Sequence, residues 1–216
     1  IFPLAWAAMF FIKSGATMES VRELLPGVVA LSVLFGTTSM LAVTVTFEKK
    51  GRSFERLLLA PLPLEFLMLA KTTGAIVFGV LNGFVPVIMA AFLTDLSGVV
   101  WVMAVPVVVL IAVVSTFFGL LIAVSVREIF EAQTFSNFFR FPMIFLCGLF
   151  FPIQKLPVFL RPLSYLLPLT YGADALHTAF REQGRMPLWL DFSVLMLFCL
   201  GLFLVCLRNI RKKWIV

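Results

Sequence analysis

Glu48-Lys49-Lys50-Gly51-Arg52-Ser53-Phe54-Glu55-Arg56 runs directly into Leu57-Leu58-Leu59-Ala60-Pro61-Leu62-Pro63, a charged island between two long apolar runs. The chain is 62% hydrophobic and only 13% charged, so polarity this concentrated marks a water-facing surface where a soluble partner has something to grip. Working outward from the island, the flanking runs are long enough to be membrane helices, and they decide the fold.

A mean hydropathy of +1.09, with Phe at 25 of 216 positions, exceeds what a soluble core requires. The prediction is an all-α polytopic membrane protein, because a hydrocarbon core of roughly 30 Å takes ~20 helical residues and backbone groups in lipid must bond internally. The alternating pattern of a barrel is not seen. Spans are expected at about 25–47, 64–93, 99–126, 134–151 and 189–207, and the apolar opening at about 1–12 reads as the outer half of a first helix whose beginning lies outside the sequence. Residues 1–216 thus read as a single transmembrane domain, with a loop at about 48–63 and a hairpin at about 152–188.

Lys and Arg set the expected orientation. One side holds Lys49, Lys50, Arg52, Arg56, Lys71, Arg127, Arg140, Arg208, Arg211, Lys212 and Lys213; the other holds Lys13, Arg22, Lys155, Arg161, Arg181 and Arg185. The first side is expected to be cytoplasmic, with the C-terminal tail inside and the hairpin outside. A net charge of +6 does not indicate nucleic acid, since the basic residues are divided between faces instead of forming one stripe. Lipid headgroups facing Arg208, Arg211, Lys212 and Lys213, with Trp214 as an interfacial anchor, account for the tail.

Cys147, Cys199 and Cys206 lack metal-ligand spacing and read as buried thiols. No G-x-x-x-x-G-K-[ST], G-x-S-x-G or H-E-x-x-H occurs, so the chain offers no P-loop for a nucleotide and no metal site is expected. Ser164, Asp174 and His177 compose a nominal hydrolase set, but proximity in sequence is not a triad. Gly79-Val80-Leu81-Asn82-Gly83 places a G-x-x-x-G in mid-span for close helix packing, and Asn82, an amide in hydrocarbon, calls for an interhelical partner or a substrate path. Ser115 with Gly119 and the cluster Gly36-Thr37-Thr38-Ser39 repeat the small-residue theme. The hairpin reads Phe150-Phe151-Pro152-Ile153-Gln154-Lys155-Leu156-Pro157, then Arg161-Pro162, then Leu167-Pro168-Leu169-Thr170-Tyr171. Prolines this frequent forbid one continuous helix, so short, partly immersed helices that cap or line something are expected.

These two islands resemble the signatures of the ABC type-two exporter permeases. Glu48, Ser53, Glu55, Arg56, Leu57, Leu58, Pro61 and Leu62 match the first, with Arg52 where the family has Gly and Gly51 one residue early. Phe150, Phe151, Pro152, Ile153, Leu156, Pro157, Pro168, Leu169, Thr170 and Tyr171 match the second, with Leu167 where the family has Asn. Leu25-Pro26-Gly27 is a third, shorter match. The resemblance implies a six-helix permease whose first helix is cut short, preceded in the family by an amphipathic helix not found here.

It also implies a partner: a separate P-loop ATPase subunit, carrying ATP and magnesium, docks on the cytoplasmic loop. In that picture Glu48, Gly51, Phe54, Glu55, Arg56, Leu57, Leu58 and Pro61 form the coupling element, and Arg127, Glu128 and Phe130 a second contact. Gly79, Asn82 and Gly83 serve packing or the pathway; Phe151, Pro152, Pro157, Pro168 and Tyr171 form an outer gate. No cofactor is expected in this chain. The expectation is the permease of an ATP-driven exporter of a hydrophobic or amphiphilic substrate, a homodimer or heterodimer in a bacterial or archaeal cytoplasmic membrane. The alternatives are an ion-coupled carrier, disfavoured because Glu65, Lys71, Arg140 and Asp191 are read near span ends, and an intramembrane hydrolase at Ser164 and His177.

Overall fold

The computed structural model describes residues 18–51, 63–92, 95–96, 98–126, 128–149, 153–181 and 186–214. Every regular element among them is helical: α1 (Met18–Lys50), α2 (Leu64–Ala91), α3 (Trp101–Ser125), α4 (Ile129–Leu146), a 3-10 turn (Ile153–Lys155), α5 (Arg161–Tyr165), α6 (Pro168–Arg181) and α7 (Leu188–Trp214). Among the described residues four stretches are long and apolar enough to cross a membrane: Leu24–Glu48, Leu69–Ala91, Trp101–Ser125 and Leu188–Ile210. The segment at 1–12 lies outside the described residues.

Helix α1 is the spine, packing against α2, α3, α4 and α6. Its N-terminal half is buried all round, with Val29, Ala30, Leu31 and Val33 at zero exposure. The small residues explain how two of these helices, α2 and α3, reach it so closely. On α2 the buried face is Thr72, Ala75, Gly79, Gly83, Val87 and Ala90, a ridge at i, i+3 and i+4 spacing, while Phe78, Leu81, Val85 and Ile88 point outward. This inverts a soluble helix: the small side chains face protein and the large ones face the surroundings, as membrane packing favours. A Cβ at Gly83 would stand 2.5 Å from Val33 Cγ2, and one at Gly79 would collide with Thr37. On the other side of α1, a Cβ at Gly119 of α3 would stand 2.8 Å from the Thr38 carbonyl oxygen. The Thr38 hydroxyl donates to Leu34 O at 2.7 Å and reaches Ser115 O at 3.3 Å, so the close approach leaves no polar atom of Thr38 unpaired.

Helix α4 departs from the expected 134–151. It begins five residues earlier because Glu128 and Glu131 form a capping box across its first turn. It stops at Leu146 because Gly148 takes φ 74°, a left-handed conformation that ends helices and favours glycine. Its composition keeps it outside the four apolar stretches.

The hairpin beyond it resolves into short helices, and α6 is no surface lid. It packs against α1, α3 and α7, burying Leu169, Ala173, Ala175, Leu176, Ala179 and Phe180. The Val100 amide, at the entry to α3, donates to the Ala179 carbonyl at 2.9 Å. Cys147, Cys199 and Cys206 are buried free thiols.

Candidate functional site: the ion-paired end of the bundle and a buried arginine

The island begins where α1 ends. The Gly51 amide closes the last helical turn on the Phe47 carbonyl at 2.9 Å. Just before it, Glu48 pairs with Lys71 of α2, with both side chains about three-quarters or more covered. Lys50 Nζ meets the Glu128 carboxylate at 2.7 Å, and that pair is exposed. Glu128 serves twice, because its side chain also accepts the Glu131 amide and its own amide donates to Glu131 Oε2 at 3.3 Å. A carboxylate at a helix N-terminus is favoured by the helix dipole as well. Two ion pairs therefore tie the end of α1 to the starts of α2 and α4, bracketing residues 52–62.

Phe54, Glu55, Arg56, Leu57, Leu58 and Pro61 lie outside the described residues, as does Arg127. Phe130, on the first turn of α4, is 86% exposed beside the bracket. The basic end of α7 belongs to the same end: Cys206, Leu207 and Ile210 pack with Leu41, Val45, Leu67 and Val124.

Gly79, Asn82 and Gly83 sit halfway along α2, all against α1: Asn82 stands opposite Gly36, whose Cβ would be 3.3 Å from that of Asn82. The interhelical bond expected of Asn82 is not made, since its amide donates to Phe78 O of its own helix at 3.2 Å.

At the far end, Phe151 and Pro152 lie outside the described residues. Pro157 is exposed and accepts the Leu160 amide at 2.9 Å; Pro168 is buried at the start of α6; the Tyr171 hydroxyl donates to Tyr165 O at 2.9 Å. The clamp of this hairpin is a residue that sequence reading passed over: Arg161 donates from Nε to Leu156 O at 3.1 Å and from Nη2 to Gln154 O at 2.7 Å. Ser164 is fully buried and its hydroxyl donates to Leu160 O at 3.3 Å, which leaves it poorly placed as a nucleophile.

Arg140 is the larger correction. It is not near a span end with Lys50 and Lys71. It is 1% exposed, with its guanidinium carbon 4.9 Å from the ring centroid of Phe35. Phe35 lies eleven residues in from Leu24 and thirteen from Glu48, the middle of the α1 span. The helical rise agrees: Phe35 is about 22 Å from Lys50 along α1, and Arg140 about 18 Å from Glu128 along α4.

Helices of membrane length joined through small-residue contacts describe a multi-pass membrane protein. The chain matches the family described as ABC-2 type transporter over residues 1–180 and belongs to that family. Among its relatives, Inner membrane transport permease YadH of Escherichia coli (strain K12) is 26% identical over 220 residues, covering 97% of this chain and 86% of that protein. Nodulation protein J of Sinorhizobium fredii is 24% identical, covering 89% and 74%. Probable multidrug ABC transporter permease YbhS of Escherichia coli (strain K12) is 31% identical over a shorter stretch, 44% and 25%. The chain is accordingly a transport subunit rather than an enzyme. Among the described residues no group of three or more His, Cys, Asp or Glu is placed to hold a metal.

Proposed function

We propose that the chain is the permease of an ATP-driven exporter in a bacterial or archaeal cytoplasmic membrane, moving a hydrophobic or amphiphilic substrate outward. A separate P-loop ATPase subunit would hold ATP and magnesium and dock on the 48–63 island, with its C-terminal tail on the same cytoplasmic side. The observation that carries this reading is the bracket of Glu48–Lys71 and Lys50–Glu128, which makes three helix ends respond together to whatever pulls on the intervening loop. A loop tied to one helix would transmit little; a loop tied to α1, α2 and α4 shifts the bundle between states that a partner can favour by differential binding.

Two copies, identical or closely related, would enclose the path. In support, the cavity between Leu34, Phe118, Met143 and Leu195 holds about 10 Å³, room for one water and not for an amphiphile. The hairpin at 153–181 would gate the outer end, with Pro157, Pro168 and Tyr171 in its frame. Membrane lipid is the remaining partner.

The test is ATP-dependent uptake of a fluorescent amphiphile into inverted vesicles containing the chain with its ATPase. Glu55→Arg or Pro61→Ala should reduce uptake to background while insertion persists. Unchanged uptake in both variants sinks the coupling role, and uptake driven by a proton gradient without ATP would establish an ion-coupled carrier instead.

A further inference from the structure

Arg140 is a cation enclosed at mid-membrane depth with its geometry already set. Its guanidinium carbon lies over the Phe35 ring, 4.9 Å from the centroid, and Nη1 donates to Asn137 Oδ1, one turn back on α4, at 3.3 Å. Nε and Nη2 are buried and have no hydrogen-bond partner. Those two nitrogens form one edge of the guanidinium, the edge whose parallel N–H bonds match the two oxygens of a carboxylate or phosphate. A membrane arginine whose only role was packing would turn this edge to a backbone carbonyl or to water, because unmade hydrogen bonds in hydrocarbon are costly. The Phe35 contact and the Asn137 bond instead hold the side chain so that the Nε–Nη2 edge is left over.

We propose that the Nε–Nη2 edge of Arg140 is a binding site for the oxyanion head, carboxylate or phosphate, of an amphiphile whose tail lies in the surrounding apolar helices. As an account of what the exporter carries, this rests on the export reading above; the chemistry of the edge does not. The site is sealed in this state, so the ligand enters when α4 and α1 part at Phe35. Among the described residues Asp191 is the other fully buried charge without a hydrogen-bond partner. It lies one turn from Leu195 on α7, while Met143, one turn from Arg140, lines the same small cavity as Leu195. A resident Arg140–Asp191 pair in another state is therefore the competing occupant.

The test is equilibrium binding of dodecyl phosphate to the purified full chain in maltoside micelles, with dodecyltrimethylammonium as the matched cation. Wild type should bind the phosphate and not the cation. Arg140→Lys, which keeps the charge and loses the paired edge, should bind about tenfold more weakly, and Arg140→Met should not bind. Equal binding of both probes by wild type overturns the site without recourse to any variant. So does undiminished phosphate binding by a folded Arg140→Met chain. Absence of phosphate binding, with Asp191→Asn and Arg140→Met each destabilising alone and rescuing one another, would assign the edge to the internal pair and also overturn it.

Two further arms separate the sources of the oxyanion. Phosphatidylglycerol retained by wild type from vesicles and lost from Arg140→Lys supports the site with lipid as occupant; ATP-driven movement of dodecyl phosphate by the complete complex supports it with cargo. Binding without any ATP-driven uptake leaves the site standing and removes the export reading. Uptake of uncharged amphiphiles, with equal phosphate binding by wild type and Arg140→Met, does the reverse.

Discussion

Replacing Lys50 with Glu sets two carboxylates together where Lys50 Nζ now stands 2.7 Å from Glu128. The two side chains are 58% and 54% exposed, so the attraction is close to its value in water, about 1 kcal/mol, and its net worth is roughly 0–1 kcal/mol after side-chain entropy and salt. Losing the pair and adding repulsion costs about 1–2 kcal/mol at low salt. For a chain of this size that lowers Tm by no more than about 8 °C, and the fold survives. Coupling is a more demanding readout: about 1.4 kcal/mol removed from a step in which α1 and α4 move together is about tenfold in rate. Lys50→Glu is therefore expected to reduce ATP-driven uptake about tenfold while basal ATP hydrolysis by the partner persists. Glu128→Lys should do the same and cost about 1 kcal/mol more, because it also removes the N-cap of α4. The double swap restores the pair but not the cap, so uptake should recover while Tm stays below wild type. Uptake in inverted vesicles, at low and high salt, measures all three; salt should weaken the wild-type advantage. Wild-type uptake in both single variants, or a double variant no better than Glu128→Lys, refutes the bracket.

The interhelical contacts make sharper stability predictions. Gly119→Ala sets a methyl 2.8 Å from the Thr38 carbonyl oxygen and should cost about 1–3 kcal/mol, whereas Gly74→Ala, with nothing within 4 Å, should be neutral or stabilising by up to about 1 kcal/mol; melting in maltoside micelles compares them. Gly148→Ala should cost about 1–2 kcal/mol because φ is 74° there, with Gly201→Ala, also in open space, as the control in the same melt. Asp191→Asn removes a charge whose two oxygens are buried without partners, so Tm should rise or hold; a clear drop would show that the carboxylate has a partner in solution.

What was legible in the sequence followed from requirements that act locally. Hydrocarbon demands helices, so apolar length located α1, α2, α3 and α7. Small residues at helical spacing announced close packing, and Gly79, Gly83, Ser115 and Gly119 do meet α1. What was not legible depended on which helix faces which. The charges Glu128 and Glu131 read as a loop because charge counts against a span; their reciprocal capping, visible in sequence as acidic residues three apart, starts α4 early. That shift puts Arg140 eleven residues from the start of α4 instead of six, and the contact with Phe35, in the middle of the α1 span, sets its depth. Nothing in the order of residues pairs Arg140 with Phe35, which lies more than a hundred positions away. Asn82 does pack on α1 at Gly36, but its own turn supplied the carbonyl that a neighbouring helix was expected to offer.

Both proposed sites adjoin one element, α1, and this links them mechanically. Helix α1 carries Lys50 and Glu48 in the ion-paired bracket, Thr38 against Gly119, Thr37 against Gly79, and Phe35 beneath Arg140. A helix with its backbone bonds intact transmits a tilt along its length. Pivoting at the bracket by about 10° would carry Phe35, about 22 Å away, through about 4 Å. That is enough to part it from the guanidinium and open the Nε–Nη2 edge. Ridge contacts resist the tilt in one direction only: Gly79 and Gly83 leave α2 no space to approach, so α1 can move only with α2 or away from it. The Lys71–Glu48 pair ties those two helices at their base, and the less buried Lys50–Glu128 pair ties α1 to α4. The weaker tie is on the side where Arg140 must be uncovered. A pull on residues 52–62 would therefore separate α4 from the α1–α2 pair before it separated α1 from α2, exposing the arginine edge in the same movement by which the proposed partner would act on the bundle.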